Sequence, residues 1–312
     1  MTTVSVVIAA HTEERWHELV RAVSSALGQT RRPLEVIVTI DHNPALLARV
    51  RDSVPGITAV LNEGSDGASG TRNAGAAVAS GDVLAFLDDD AVADLDRLER
   101  LLPPLDQRDV VGVGGFVRPL WTGRAPRWFP PEFLWVVGAS YRGLPEFGGV
   151  VRNVWSENMA VRRTDFVAVG GFREGFGKTG TVSRPEDTDL CIRLARDGRT
   201  WWYAPDARIG HSVPAGRSSP RFYLRRCWME GRGKAQLASL LAGDAVVPTR
   251  ADELRTERVH ALRTLPRGVA RELVNAARGD GWGAVRALAI VAGLLAAALG
   301  LVAERMVVGR PA

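Results

Sequence analysis

Residues 4–117 alternate between short apolar runs and helical periods, and that rhythm constrains the fold more than any other property of the chain. Residues 4–9 read as a strand. Trp16, Leu19, Val20, Val23 and Leu27 keep a helical period that Gly28 closes. Strands at 34–40, 57–61, 83–87 and 110–117 follow, with helices at 45–52, 69–79 and 94–105 between them. The alternation predicts a parallel sheet with right-handed crossovers and helices on both faces. In such sheets ligands collect beyond the carboxyl ends of the strands. Asp41 follows the second strand, and Asp88, Asp89 and Asp90 follow the apolar run Val83-Leu84-Ala85-Phe86-Leu87, so both are predicted at one edge.

Three adjacent carboxylates repel one another unless a cation neutralises them or solvent screens them. A divalent metal suits the position, because hard cations take oxygen ligands and carry phosphate on their remaining sites. The competing reading is a solvated acidic turn that ends a strand and caps the next helix.

Periodicity lapses over residues 118–151, where Pro119, Pro126, Pro130, Pro131 and Pro145 alternate with Trp121, Trp128, Phe129 and Trp135. Aromatics at this density argue against disorder, and the stretch reads as an ordered cover over the active edge. A strand is expected at 153–161, helices at 164–169 and 186–197, and a short strand at 201–204. From residue 217 the chain reads as helical, broken at Pro248 and Pro266. The predicted organisation is a domain over 1–216 with 118–151 as its insertion, an Arg-rich helical region over 217–280, and an apolar helix over 281–312.

The net charge of +5 is concentrated in the Arg-rich late region. No zinc-finger spacing or aromatic-interleaved basic run points to nucleic acid, so anionic lipid is the better partner. Residues 287–303 are apolar or glycine without interruption, at the lower limit for a bilayer span, and could cross the membrane, lie in its plane or be buried. With the arginines before it, a span would leave the body on the cytoplasmic face. Two cysteines, Cys191 and Cys227, make no disulfide framework and are expected reduced. Residues 4–8 read as a first strand, not as the apolar core of a signal peptide.

An ordered series of motifs resembles the family 2 glycosyltransferases, inverting enzymes with the Rossmann-like GT-A nucleotide-sugar fold. The series is Val4-Ser5-Val6-Val7-Ile8, Asp41, Thr71-Arg72-Asn73-Ala74-Gly75, Asp88-Asp89-Asp90, Asn158 to Arg163, Gly170-Gly171-Phe172, Glu186-Asp187-Thr188-Asp189-Leu190 and His211. It covers residues 4–213, two-thirds of the chain. The resemblance implies an α/β fold, a mostly parallel sheet with flanking helices, followed here by a C-terminal helical region. It implies transfer of one sugar from a nucleotide-diphosphate donor, a UDP-sugar first, to a hydroxyl or phosphate acceptor that could be lipid-linked.

By the same resemblance, Asp41 and Arg72 contact the nucleotide, with Asn73 beside them. Asp90 and Asp88 hold Mn2+ or Mg2+, Asp89 supports them, and His211 adds a contact to metal or diphosphate. Asp187 is the catalytic base, supported by Glu186. Trp155 and Asn158 fit either the lining of the sugar pocket or plain core packing. For Asp187 and Glu186 the competing role is capping a helix N-terminus. The small residues around Arg72 fit either close approach of a ligand or tight packing. Two other functions compete: a nucleotidyltransferase that makes sugar nucleotides, disfavoured because Ala9 to Glu14 replaces a Gly-rich loop, and an inactive membrane-bound nucleotide-sugar scaffold.

Overall fold

The computed structural model describes residues 2–179, 182–243 and 259–308, so the break expected at Pro248 lies outside the described residues. The chain divides into two compact units, one of Met1–Arg118 with Pro145–His211 and one of Pro119–Leu144 with Ser212–Ala312.

In the first unit the expected alternation is present. Its elements are β1 (Val4–Ala10), α1 (Trp16–Leu27), β2 (Glu35–Asp41), α2 (Pro44–Ser53), β3 (Thr58–Asn62), α3 (Ala68–Val78) and β4 (Val83–Asp88). β1 pairs in parallel with β2 on one side and with β4 on the other, and β2 pairs in parallel with β3. The carboxyl ends of β2 and β4, with Asp41 and Asp88, therefore share one edge. α3 lies tight on the sheet: a Cβ added at Gly75 would stand 2.4 Å from Thr39 Oγ1 and 2.6 Å from Val7 Cγ1. For this glycine, packing is the role that holds.

Beyond β4 the sheet departs from the parallel expectation. β5 (Ala91–Ala93), α4 (Arg97–Leu101), β6 (Val110–Trp121), β7 (Gly149–Val151), β8 (Asn158–Arg162), α5 (Arg163–Ala168), a hairpin of β9 (Gly177–Thr179) and β10 (Val182–Arg184), α6 (Glu186–Leu194) and β11 (Thr200–Val213) complete it. The order is β3-β2-β1-β4-β8-β6-β11-β5, with β7 on β11. β8 sits antiparallel between β4 and β6, so the sheet is mixed and mostly parallel in its first half. The single helix expected at 94–105 is the five-residue α4 followed by a 3-10 turn at Pro103–Asp106, because the two prolines end the α-helix. The strand expected at 201–204 runs on to Val213. Pro205 falls between the stretch that pairs with β7 and the stretch that pairs with β5.

The first unit buries apolar side chains on both sheet faces, Val6, Ile8, Val38 and Leu87 in one cluster and Val7, Phe86, Met159 and Leu190 in the other. The second unit has its own core. Phe129, Phe133 and Val136 from the Trp/Pro-rich stretch pack with Tyr223 and Cys227 of α7 (Pro220–Gly243), Leu265 of α8 (Leu265–Ala277) and Ile290 of α9 (Gly283–Val308). The stretch read as a cover within the first domain thus shares its aromatic core with the C-terminal helices. Pro266 does not break a helix; it sits in the first turn of α8, where a missing N–H costs nothing. Cys191 and Cys227 are free and buried.

Candidate active site

Strand geometry gathers the acids. β4 ends at Asp88, and Asp89 and Asp90 form the turn into β5. β5 pairs antiparallel with β11 so that His211 stands opposite Ala91. That register puts His211 Nε2 3.2 Å from Asp90 Oδ1 and 4.0 Å from Glu157 Oε2. Glu157 precedes β8, whose Asn158 is paired with Leu87, so it arrives beside the end of β4. In the N-terminal half of α3, Arg72 donates from Nη2 to Asp88 Oδ1 at 2.8 Å, and its Nη1 lies 3.7 Å from Glu186 Oε1 at the start of α6. One buried guanidinium therefore joins the Asp triplet to the Glu186-Asp187 pair. Arg15, in the 3-10 turn after β1, donates to Asp89 Oδ1 at 2.9 Å and lies 3.1 Å from Asp90 Oδ2.

The electrostatics are those of an acid-rich cleft. Burial, then the charges of Asp90 and Asp88, push the Asp89 carboxyl up to about 7 against the pull of Arg15. Burial raises Glu157 too, aided by Asp88, Asp187 and Asp90 and opposed by His211. Glu186 is raised by burial and by Asp187 beside it, and Asp187 by burial against the opposing charge of Arg72. For His211, burial opposes protonation, but Glu157 and Asp90 outweigh it and lift the imidazole to about 9. Buried atoms in this cluster remain without hydrogen-bond partners: Asp89 Oδ2, Glu157 Oε1, Asp187 Oδ1, Arg72 Nη1 and His211 Nδ1. Such atoms cost free energy in a fold that has nothing further to bind. Carboxylate oxygens and an imidazole are the donor types a hard divalent cation takes. Asp88, Asp90 and His211 supply them here, already engaged by Arg72, Arg15 and one another and with ligand atoms that do not all lie within 4.8 Å of one another.

Asp41 stands apart from that cluster. Burial works to raise its pKa, but bonds from His42, the Gly67 N–H and Asn62 hold it below the usual carboxylate range. With His42 and Asp66 it is the one group of three among the described residues whose potential ligand atoms lie within 4.8 Å of one another.

The two asparagines expected at the ligand are bound into the fold. Asn73 donates to the Phe172 carbonyl at 2.7 Å and accepts from the Phe172 N–H at 2.9 Å, which clamps the Gly170-Gly171 turn to α3. Asn158 is buried, accepts from Arg97 Nε at 2.8 Å and donates to the Phe116 and Ala207 carbonyls. It joins β8 to its neighbours rather than lining a pocket. Trp155 is half-buried. Arg15 and Glu157 belong to the site and were missed in the sequence. Strand alternation beside Asn158 was the available signal for Glu157; for Arg15 there was none beyond its place after β1.

The family model for glycosyl transferase family 2 matches residues 5–170, more than half of the chain. The chain belongs to this family. It is a glycosyltransferase. It is 35% identical over 237 residues to a glucosyl-dolichyl phosphate glucuronosyltransferase of Haloferax volcanii, an alignment covering 74% of this chain and 76% of the relative. It is 29% identical over 226 residues to the succinoglycan biosynthesis protein ExoM of Rhizobium meliloti, over 70% of each chain. Among solved structures, this glycosyltransferase is similar in fold to a mannosyltransferase of Pyrobaculum calidifontis in complex with GDP-Man and Mn2+. The TM-score is 0.59 at 19% identity, with 96% of this chain and 87% of that one covered. It is also similar to GalNAc-T7 with UDP, GalNAc and Mn2+, with a TM-score of 0.54 at 18% identity over 84% of this chain. The match spans 55% of the length of GalNAc-T7. These likenesses establish the GT-A fold of the catalytic unit.

Proposed function

We propose that the enzyme transfers a single hexosyl or hexuronosyl group, with inversion, from a nucleoside-diphosphate sugar, UDP first, to a lipid-linked acceptor. The observation that carries this reading is Arg72. Its guanidinium serves Asp88 at 2.8 Å and Glu186 at 3.7 Å, and so draws a cation-binding acid cluster and a carboxylate pair at a helix start into one cleft.

The acid cluster supplies the leaving-group side. Asp90, Asp88 and His211 would hold a divalent cation, Mn2+ or Mg2+, and Asp89 with Arg15 sets their positions. When bound, the cation neutralises the charge that develops on the departing diphosphate. Arg72 contributes a fixed positive charge at the same place, and its pairing with Asp88 keeps that carboxylate oriented. Asp41, held ionised by its three hydrogen bonds, is placed to accept from a ring N–H of the base.

The α6 end supplies the attacking side. Ser156 bonds to Asp187 and helps to orient it, while Asp187 Oδ1 has no partner and can take the acceptor's proton. Its raised pKa makes it a stronger base than an ordinary aspartate. Glu186, raised by burial beside it, supports the pair. Single displacement by such a base inverts the anomeric centre. The lipid-linked acceptor and the uronic acid donor are supported by the name of the Haloferax volcanii relative, and an acceptor in a bilayer would bring the reaction to a membrane surface.

The test is to incubate the enzyme with Mn2+, a panel of UDP- and GDP-sugars and a polyprenyl-phosphate hexose, and to read products by mass spectrometry. A mass gain of one hexuronic acid or hexose on the lipid is expected. Addition of many sugars, or consumption of donor with no lipid product, overturns the reading.

A further inference from the structure

In the second unit, the stretch Gly283–Met306 of α9, 24 residues with a mean hydropathy of 2.3, could by length and composition cross a membrane. Its packing argues for a different placement. One side of α9 lies against α7 at backbone distance: a Cβ at Gly231 would stand 1.9 Å from the Ala297 carbonyl, and one at Gly300 2.2 Å from that of Trp228. Tyr223 donates to the Ala289 carbonyl at 2.8 Å. Glu304 is buried and takes bonds of 2.6 Å from both Arg232 and Gln236 of α7. The same helix is tied to α8 by Arg286, which donates to Glu272 at 2.7 Å. A crossing would take α7 with it, including Arg225, Arg226, Glu230, Arg232 and Lys234, or tear these contacts apart.

The other side of α9 is bare. Val285, Leu288, Val291, Leu295, Leu299 and Val302 are exposed, Leu288 to 68%. At 100° per residue they fall on one half of the helix, opposite the packed positions 289, 293, 297, 300 and 304. α8 and the turn before it add Leu262, Leu273 and Val274, also exposed. The exposed charges in this region have one sign. Arg263, Arg267, Arg278 and Arg305 are exposed, whereas Glu272 and Glu304 are buried and Asp280 is bonded to Arg286. Trp282 is exposed at the turn between the helices. An apolar face edged only with arginine, among the described residues, repels a second copy of itself and complements anionic lipid headgroups.

We propose that α8 and α9 form an in-plane binding surface for an anionic bilayer: the bare face of α9 enters the headgroup and acyl boundary, the arginines meet lipid phosphates, and α9 does not cross. This goes beyond the transfer chemistry and does not need it. Vesicle partition is read without donor or acceptor, so its failure leaves the transferase reading standing, and a chain that binds vesicles without transferring sugar overturns only that reading.

The full-length protein is tested by sedimentation with phosphatidylcholine vesicles, with and without phosphatidylglycerol. Binding is expected to rise about tenfold or more with the anionic lipid and to fall with salt. The variant Leu288→Gln/Leu295→Gln/Leu299→Gln is expected to lose about tenfold or more of this binding while its thermal unfolding is unchanged, since the positions are bare. Separately, Leu288→Cys, Leu295→Cys and Val302→Cys carry a depth-sensitive fluorophore, quenched by lipids brominated at set positions. One equal, shallow depth for all three supports the in-plane placement. Depths graded along the helix, no binding to anionic vesicles, or a dimer in solution that the triple variant abolishes without any vesicle binding would each overturn it.

Discussion

Glu157 and Asp187 in the catalytic unit, and Glu132, Glu272 and Glu304 in the C-terminal unit, are carboxylates withdrawn from water to serve opposite ends. In the first group each residue keeps a buried oxygen without a partner, and other acids crowd it against one opposing cation, His211 for Glu157 and Arg72 for Asp187. In the second, Glu132 meets Arg271 at 2.6 Å, Glu272 meets Arg271 and Arg286 at 2.6 Å each, and Glu304 meets Arg232 at 2.6 Å. Accordingly Glu157 and Asp187 are raised by burial. Glu272 and Glu304 are lowered: bonds from Arg286 and Arg271 overcome the burial of Glu272, and Gln236 and Arg232 hold Glu304. Acids crowded by other acids keep hydrogen-bonding capacity unmet; acids matched to arginines hold helices together.

The sharpest way to break this contrast is to remove charge on the catalytic side. Asp187→Asn is expected to lower turnover by about 10²- to 10⁴-fold, with nucleotide affinity by calorimetry close to that of the wild type. Near-normal turnover would remove Asp187 as the base. Asp90→Ala, or chelation of divalent ions, is expected to lower turnover by about 10²-fold or more, with added Mn2+ rescuing the chelated enzyme but not the variant.

The same substitution made in each unit then separates site from scaffold. Glu132→Gln removes one of the two carboxylates that Arg271 meets and should cost about 1.5 kcal/mol of stability in denaturant titration. Glu157→Gln removes a repelled charge and should leave stability unchanged or up to about 1 kcal/mol higher while turnover falls. Equal losses in both would erase the distinction.

Acidity gives the smallest and most gradual effect, with opposite signs. Glu272 and Glu304 are depressed in the fold, so their contribution is present above the ordinary carboxylate value of 4.5 and is lost as the pH falls through their folded values. Glu157 and Asp89 are raised, and His211 is raised to about 9, so the catalytic unit should gain stability as the pH falls from about 9 towards 6. Hydrogen exchange resolved by peptide reads the two units separately.

The sequence carried the repeating half of the fold well, because β1 to β4 and their helices are written in local periodicity. The Asp triplet was legible for the same reason: it ends a strand whose direction fixes where it points. What periodicity could not carry was pairing over long distances. Nothing local says that β8 inserts antiparallel between β4 and β6, and so nothing showed that Asn158 faces the interior while Glu157 faces the cleft. Pro205 hid the length of β11, and with it the strand register that brings His211 to Asp90. The aromatic stretch at 118–151 was read as ordered, but its partners lie a hundred residues further on, in α7 to α9.

The most direct test of the central idea is calorimetric titration of the enzyme with UDP in the presence and absence of Mn2+, repeated with Asp90→Ala. Tight binding that needs the cation, and that the variant loses, would bear out an acid cluster that grips diphosphate through a metal. Binding of equal strength without the cation, or an undiminished affinity in the variant, would contradict it.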